Sequence, residues 1–168
     1  MRMILAPLAL ASLLLAQSAS ARQEAATTRF DPMTFFTGRT EGTGRLKITL
    51  RRATAVDVRG EGRVANDGTL ILRQTVEEYG KDPRRREWRM REVSPGRYTG
   101  TLTDATGPVE GELVGGRLRL RYPMKGGMRA VQWIEGAPDG SSARNRMTVS
   151  RLGVPIARLD ETIRRIGL

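Results

Sequence analysis

From residue 42 onward, apolar and polar positions alternate with a period of two. Leu46, Ile48 and Leu50 alternate with Arg45, Lys47, Thr49 and Arg51, and Val56 and Val58 continue the pattern. A strand with one buried face requires this alternation. Asn66-Asp67-Gly68 is a hairpin signal, because these residues tolerate the positive φ of a tight turn. Leu70, Leu72, Gln74 and Val76 then share a face, as do Trp88 and Met90, and later Tyr98, Gly100 and Leu102. Further strands are predicted near 108–114, 117–124, 128–135 and 143–152, between turns such as Gly115-Gly116 and Pro138-Asp139-Gly140. The clearest is 117–122, with Arg117, Arg119 and Arg121 on one side and Leu118, Leu120 and Tyr122 on the other. No segment of 40–152 carries a helical period. About nine or ten short antiparallel strands joined by tight turns predict a meander that closes into a barrel.

Two segments depart from the pattern. Asp31 suits a helix cap and Pro32 a first helical position, which predicts one helical turn carrying Phe35 and Phe36 as a plug. The tail 154–166 reads both ways. Ile156, Leu159, Ile163 and Ile166 suit a helix, whereas Ala157, Leu159, Glu161 and Ile163 suit a strand.

The first segment of the 168-residue chain has different physics. Arg2 precedes a run from Met3 to Ala16 that only Pro7 and Ser12 interrupt, and Ala19-Ser20-Ala21 supplies small residues at a cleavage site. The run is short for a bilayer span, which takes about 20 apolar residues. An uncleaved anchor is the alternative reading. The expected organisation is a signal peptide over 1–21, a flexible leader over 22–29 and a single β-barrel domain over 30–168. The expected location is periplasmic or secreted, after cleavage near Ala21-Arg22.

Composition narrows the chemistry. The chain has no Cys and no His. This excludes disulfides, thiol nucleophiles, His-based triads and zinc sites built on those ligands. No phosphate loop, serine elbow or metal loop is present, so no catalytic residue, metal or cofactor is predicted. Glu110 and Glu112 share a strand face, and Val109, Gly111 and Leu113 on the other side put them outward. The net charge is +11, and Lys47, Lys81 and Lys125 are the only lysines among 29 basic residues. The densest cluster is Arg84-Arg85-Arg86, and Arg117, Arg119 and Arg121 form a stripe. Both suit an anionic membrane surface or another polyanion, and both also suit a solvated exterior. The export signal and the few aromatics on the basic faces argue against a nucleic-acid partner, and none is expected.

A set of spaced motifs resembles a known family. They are Phe30-Asp31-Pro32 with Phe35-Phe36-x-Gly38, then Gly44, Arg86-x-Trp88, Arg97-Tyr98-x-Gly100, Asp104-x-x-Gly107 and Gly111. Leu118-x-Leu120-x-Tyr122, Asn145-Arg146 and Arg151-Leu152-Gly153 complete them. Together they resemble a bacterial envelope family of unknown function, often lipoproteins, whose fold is a lipocalin-like barrel. The resemblance covers nearly all of 30–165. It implies an all-β, antiparallel, calycin-type up-and-down barrel of about 8–10 strands, with a last segment that is a strand. The chain departs from the family in lacking the lipidation Cys. It has Gln74 where a Glu is common, and Val131-Gln132-Trp133 where an acidic pair is common.

The candidate site is the barrel mouth and interior. Trp88, Tyr98, Tyr122 and Trp133 are expected as aromatic lips, with Gln74 as a polar fixing group and Asn145 either ordering a loop or meeting a ligand. An interior of this kind either fills with side chains or holds an apolar or amphipathic molecule. The leading function is therefore an exported, non-catalytic, lipocalin-like protein that binds such a ligand in the envelope. The second reading is an interaction protein that docks its basic face on anionic membrane or an envelope partner.

Overall fold

Residues 30–167 are described by the computed structural model; the expected signal peptide and leader lie outside them. One helical turn, α1 (Pro32–Phe35), precedes ten strands. These are β1 (Gly38–Ile48), β2 (Thr54–Val64), β3 (Leu70–Glu78), β4 (Arg84–Ser94) and β5 (Arg97–Leu102). They continue as β6 (Val109–Val114), β7 (Arg117–Met124), β8 (Met128–Gly136), β9 (Ser142–Arg151) and β10 (Val154–Ile166). Each strand pairs antiparallel with the next, and β1 also pairs with β10, so the sheet is a closed barrel. Closure removes the free edges that a meander of this length would otherwise expose.

The tail is a strand because it has two edges to satisfy. β10 runs from Ile48↔Ala157 to Arg39↔Ile166 along β1, and pairs with β9 on its other side. Pro155, which has no N–H to donate, sits at the register shift between Pro155 and Ala157.

Alternation sets the interior as expected for most strands. Leu118, Leu120 and Tyr122 are buried, while Arg117 and Arg121 are exposed. Leu50 departs from its expected inward place and is fully exposed. The chain has already turned there: Arg51 N–H donates to Ile48 O at 3.0 Å, and Leu50 has φ 63. Leu152, in the β9–β10 turn, also has a positive φ, at 50.

One barrel end is stoppered. Asp31 caps α1 by accepting from Met33 N–H at 2.9 Å, and Pro32 stands at the first helical position. Phe30, Phe35 and Phe36 pack as tilted and edge-on pairs with centroids 5.0 to 6.3 Å apart. The Phe36 carbonyl lies where a Cβ on Gly62 would stand, so only glycine lets the plug seat. A second, smaller core of Val56, Val58, Val76 and Leu159 packs beside the main one.

Candidate functional site

A chain of hydrogen bonds crosses four adjacent strands inside the barrel. Tyr122 O–H on β7 donates to Gln132 Oε1 on β8 at 3.1 Å. The Gln132 amide donates to Asn145 Oδ1 on β9 at 3.1 Å, and the Asn145 amide donates to Glu161 Oε2 on β10 at 2.8 Å. All four residues are buried. The donors run one way, toward the carboxylate, which is the group that can only accept when ionised. Glu161 stands opposite Gly44, and its carboxylate lies over Gly42, where any Cβ would collide with it. Small residues on β1 thus make room for an acid inside the barrel.

A second polar group stands on the β3–β4 wall. Gln74 Oε1 accepts from Arg86 Nε–H at 2.8 Å and from Trp88 Nε1–H at 2.9 Å. The Arg86 guanidinium lies 5.7 Å from the Trp88 ring centre. Trp88 meets Tyr122 edge-on at 5.6 Å, which joins this group to the β7–β10 chain. Between them lies a cavity of about 40 Å³, bounded on its apolar side by Phe36, Leu70, Leu72, Met90, Leu118 and Ile163. That is space for on the order of one to three water molecules. A larger, open groove of about 730 Å³ lies on β1 to β4, where the outward Arg39, Arg59, Arg73, Glu61 and Glu87 and the inward Thr40, Gly60, Gln74 and Arg86 line it. Its outer charges are solvated and partly paired, as in Arg73–Glu87 at 3.0 Å, and at its floor it reaches the buried Thr40 and Gln74 and the nearly buried Arg86.

Burial sets the ionisation of the interior. It pushes the Glu161 carboxyl above its ordinary value, against the Asn145 hydrogen bond and the Arg86 charge, which both favour the ionised form. It pushes the Tyr122 hydroxyl up to about 12 and lowers Arg86. A carboxyl raised on folding stabilises the fold fully below its unfolded value, and that contribution is lost as pH rises through the folded value. Glu161→Gln keeps an acceptor for Asn145 and removes the buried charge. The variant is expected to melt a few degrees above the parent at about pH 8 and level with it at about pH 4. Parallel thermal melts over that range check this, and equal melting at both ends would overturn it.

The structure brings Gln74, Trp88, Tyr98, Tyr122 and Asn145 of the expected site residues into one interior. Asn145 orders no loop; it is the fourth residue of β9 and only 2% exposed. Trp133 does not join them. Ala130, Gln132 and Ile134 take the inward positions of β8, so Trp133 points outward, with Arg117 and Arg119 at 4.9 and 5.4 Å from its ring.

The arginine cluster also divides. Arg85 faces out, Arg84 pairs with Asp104 at 2.7 Å, and Arg86 turns inward with a side chain only 12% exposed. Arg119 pairs with Glu112, and Arg121 lies 3.5 Å from Glu110. Three adjacent cations in sequence are thus not one patch in space, because successive side chains leave a strand on opposite faces. Glu161 and Gln132 escaped the sequence reading as site residues. Their signal was a polar residue at an inward position, between Leu159 and Ile163 and between Ala130 and Ile134.

A closed antiparallel barrel with a stoppered end and a small, partly polar interior defines a lipocalin-like protein. The chain belongs to the family described as Protein of unknown function (DUF3833), which matches residues 10–165. No curated protein matches the chain. Among solved structures it is similar to the S-type phycobiliprotein lyase CPES from Guillardia theta. That match has a TM-score of 0.68 at 8% identity, covering 88% of this chain and 99% of the lyase. A DUF3598 protein of unknown function from Nostoc punctiforme matches with a TM-score of 0.59 at 12% identity, covering 80% of this chain and 49% of that one. Rv2717c from M. tuberculosis matches with a TM-score of 0.51 at 12% identity, covering 82% and 99%. At these identities the likeness is one of fold, and the fold is compatible with a small ligand.

Proposed function

We propose that this protein is an exported, non-catalytic carrier of an amphipathic small molecule in the bacterial envelope, and that the molecule presents a carboxylate to Arg86. The observation that carries this is the state of that guanidinium. It is nearly buried, and among the described residues its one hydrogen bond goes to a neutral amide, Gln74. The nearest carboxylate, Asp104, is 4.0 Å away and already bound to Arg84 at 2.7 Å. A guanidinium has five donors in a fixed fork that matches a carboxylate, and Arg86 lines both the interior cavity and the open groove, so a ligand in either reaches it. The apolar side chains beneath α1 supply the surface for a tail. The likeness to a phycobiliprotein lyase supports a small-molecule partner for a barrel of this shape.

A cavity of about 40 Å³ holds no such tail. Entry therefore requires lining side chains such as Met33, Phe36 or Met90 to move. Isothermal titration with decanoate, decan-1-ol and decyl phosphate tests the reading. Decanoate is expected to bind at least about tenfold more tightly than the other two, and Arg86→Gln to erase the preference. Equal binding of acid and alcohol overturns the role of Arg86, tighter binding of the phosphate overturns the carboxylate, and no binding of any overturns the carrier. Export rests on the 3–16 run and Ala19-Ser20-Ala21. A chain beginning at Arg22 in the periplasmic or secreted fraction is expected, and an unprocessed cytosolic chain would count against it.

A further inference from the structure

At the barrel end remote from α1, two leucines stand in conformations that leucine rarely adopts. Leu50 occupies the second central position of the turn closed by Arg51 N–H and Ile48 O, with φ 63. Leu152 and Gly153 form the two-residue β9–β10 turn, with φ 50 and 80. Turns of these kinds take Gly, Asn or Asp at such positions, because a Cβ crowds the left-handed backbone. Neither leucine is repaid by packing, since Leu50 is 100% and Leu152 93% exposed. Their strands are direct neighbours, and Thr49 N–H donates to Ile156 O at 2.9 Å across them. Val154, beside Leu152, is 62% exposed as well.

The charges nearest these tips along the chain have one sign, and the carboxylates at this end, Glu78 and Asp82, lie on the β3–β4 side. Lys47, Arg51 and Arg52 flank Leu50, Arg151 precedes Leu152, and Arg158 stands opposite Lys47. All five are exposed, and among the described residues none has an ion-pair partner. Elsewhere on the barrel, among the described residues, some exposed arginines are matched, as in Arg59–Glu77, Arg73–Glu87 and Arg121–Glu110, and others, such as Arg39, Arg63 and Arg164, are not.

We infer that this end of the barrel docks on an anionic lipid bilayer, with Leu50 and Leu152 entering the headgroup region and the surrounding cations meeting lipid phosphates. Apolar tips ringed by unpaired cations match a surface that is anionic outside and apolar within. A second copy of the chain fits poorly, because a symmetric contact through this end would bring like charges together. These residues differ from the Arg84–Arg86 cluster and the Arg117–Arg121 stripe, and the inference does not depend on the interior ligand.

Flotation of the full chain with phosphatidylcholine vesicles, with and without about 30% phosphatidylglycerol, provides the test. The parent is expected to float with the anionic vesicles only. Leu50→Gly with Leu152→Asn is expected to lower the bound fraction by about tenfold or more while raising the melting temperature, since both replacements suit a positive φ. A loss of binding from unfolding is thereby excluded. Arg51→Gln, Arg52→Gln and Arg151→Gln together are expected to abolish the dependence on anionic lipid. Residues 3–16 are common to every protein compared, so their contribution cancels. Undiminished flotation of the leucine variant, or no flotation of the parent, overturns the inference. So does a dimer in sedimentation that the leucine variant abolishes, because the surface then belongs to a second copy.

Discussion

Leu118→Ala is expected to lower stability by about 3 kcal/mol or more, the range found for buried leucines whose surroundings relax only in part. Leu118 is 2% exposed, and its strand neighbours at the same level are Leu113 on β6 and Ile134 on β8. It also bounds the interior cavity, so truncation adds to the space already there rather than opening a new one. The strands on either side are held by ladder hydrogen bonds in a closed sheet and cannot collapse inward to fill it. Urea denaturation should show a lower midpoint with an unchanged slope. The enlarged interior should also take up decanoate faster than the parent, because less displacement of the lining side chains is needed. A loss below about 1 kcal/mol would mean that the barrel adjusts far more freely than its packing implies.

Asn145→Leu is expected to cost about as much, by a different route. Asn145 both accepts from Gln132 and donates to Glu161. Leucine leaves a buried amide and a buried carboxylate without partners, and each carries its desolvation penalty of about 1–3 kcal/mol, more for the charge. The Asn145 bond is one of two influences that favour the ionised Glu161, the other being the Arg86 charge. Its removal therefore raises that carboxyl further, and the damage is greatest at alkaline pH and smaller once Glu161 is protonated. Chemical denaturation at about pH 4 and pH 8 separates the two parts. Adding Glu161→Met to Asn145→Leu should recover much of the loss, because apolar side chains of similar size replace a polar pair at little net cost. An equal loss at both pH values would show that the bond to Glu161 is not what Asn145 supplies.

The fold and the interior differ in how far they can be read along the chain. Strand positions between 42 and 152 were legible because the period of two is a local property. Each residue's face follows from its neighbours, and the turns at Asn66-Asp67-Gly68 and Gly115-Gly116 mark where faces reset. The helical turn was legible for the same reason, since Asp31 and Pro32 act within one turn of themselves. Leu50 shows where this ends. Its alternation continues one residue past the point at which the chain has already turned.

The tail required its partners. Its own pattern suits a helix and a strand equally, and the open edges of β1 and β9 decide the matter. Alternation also sends Gln132, Asn145 and Glu161 inward, but it does not say that they meet. Their contact depends on the stagger of four strands and on the space left by Gly42 and Gly44, which lie more than a hundred residues from Glu161 in sequence. Arg86 is the sharpest case. Among three consecutive arginines its side chain alone reaches Gln74 and Trp88, because only closure of the barrel makes that face an interior. Local alternation is written in one strand at a time, whereas an interior is a property of all ten.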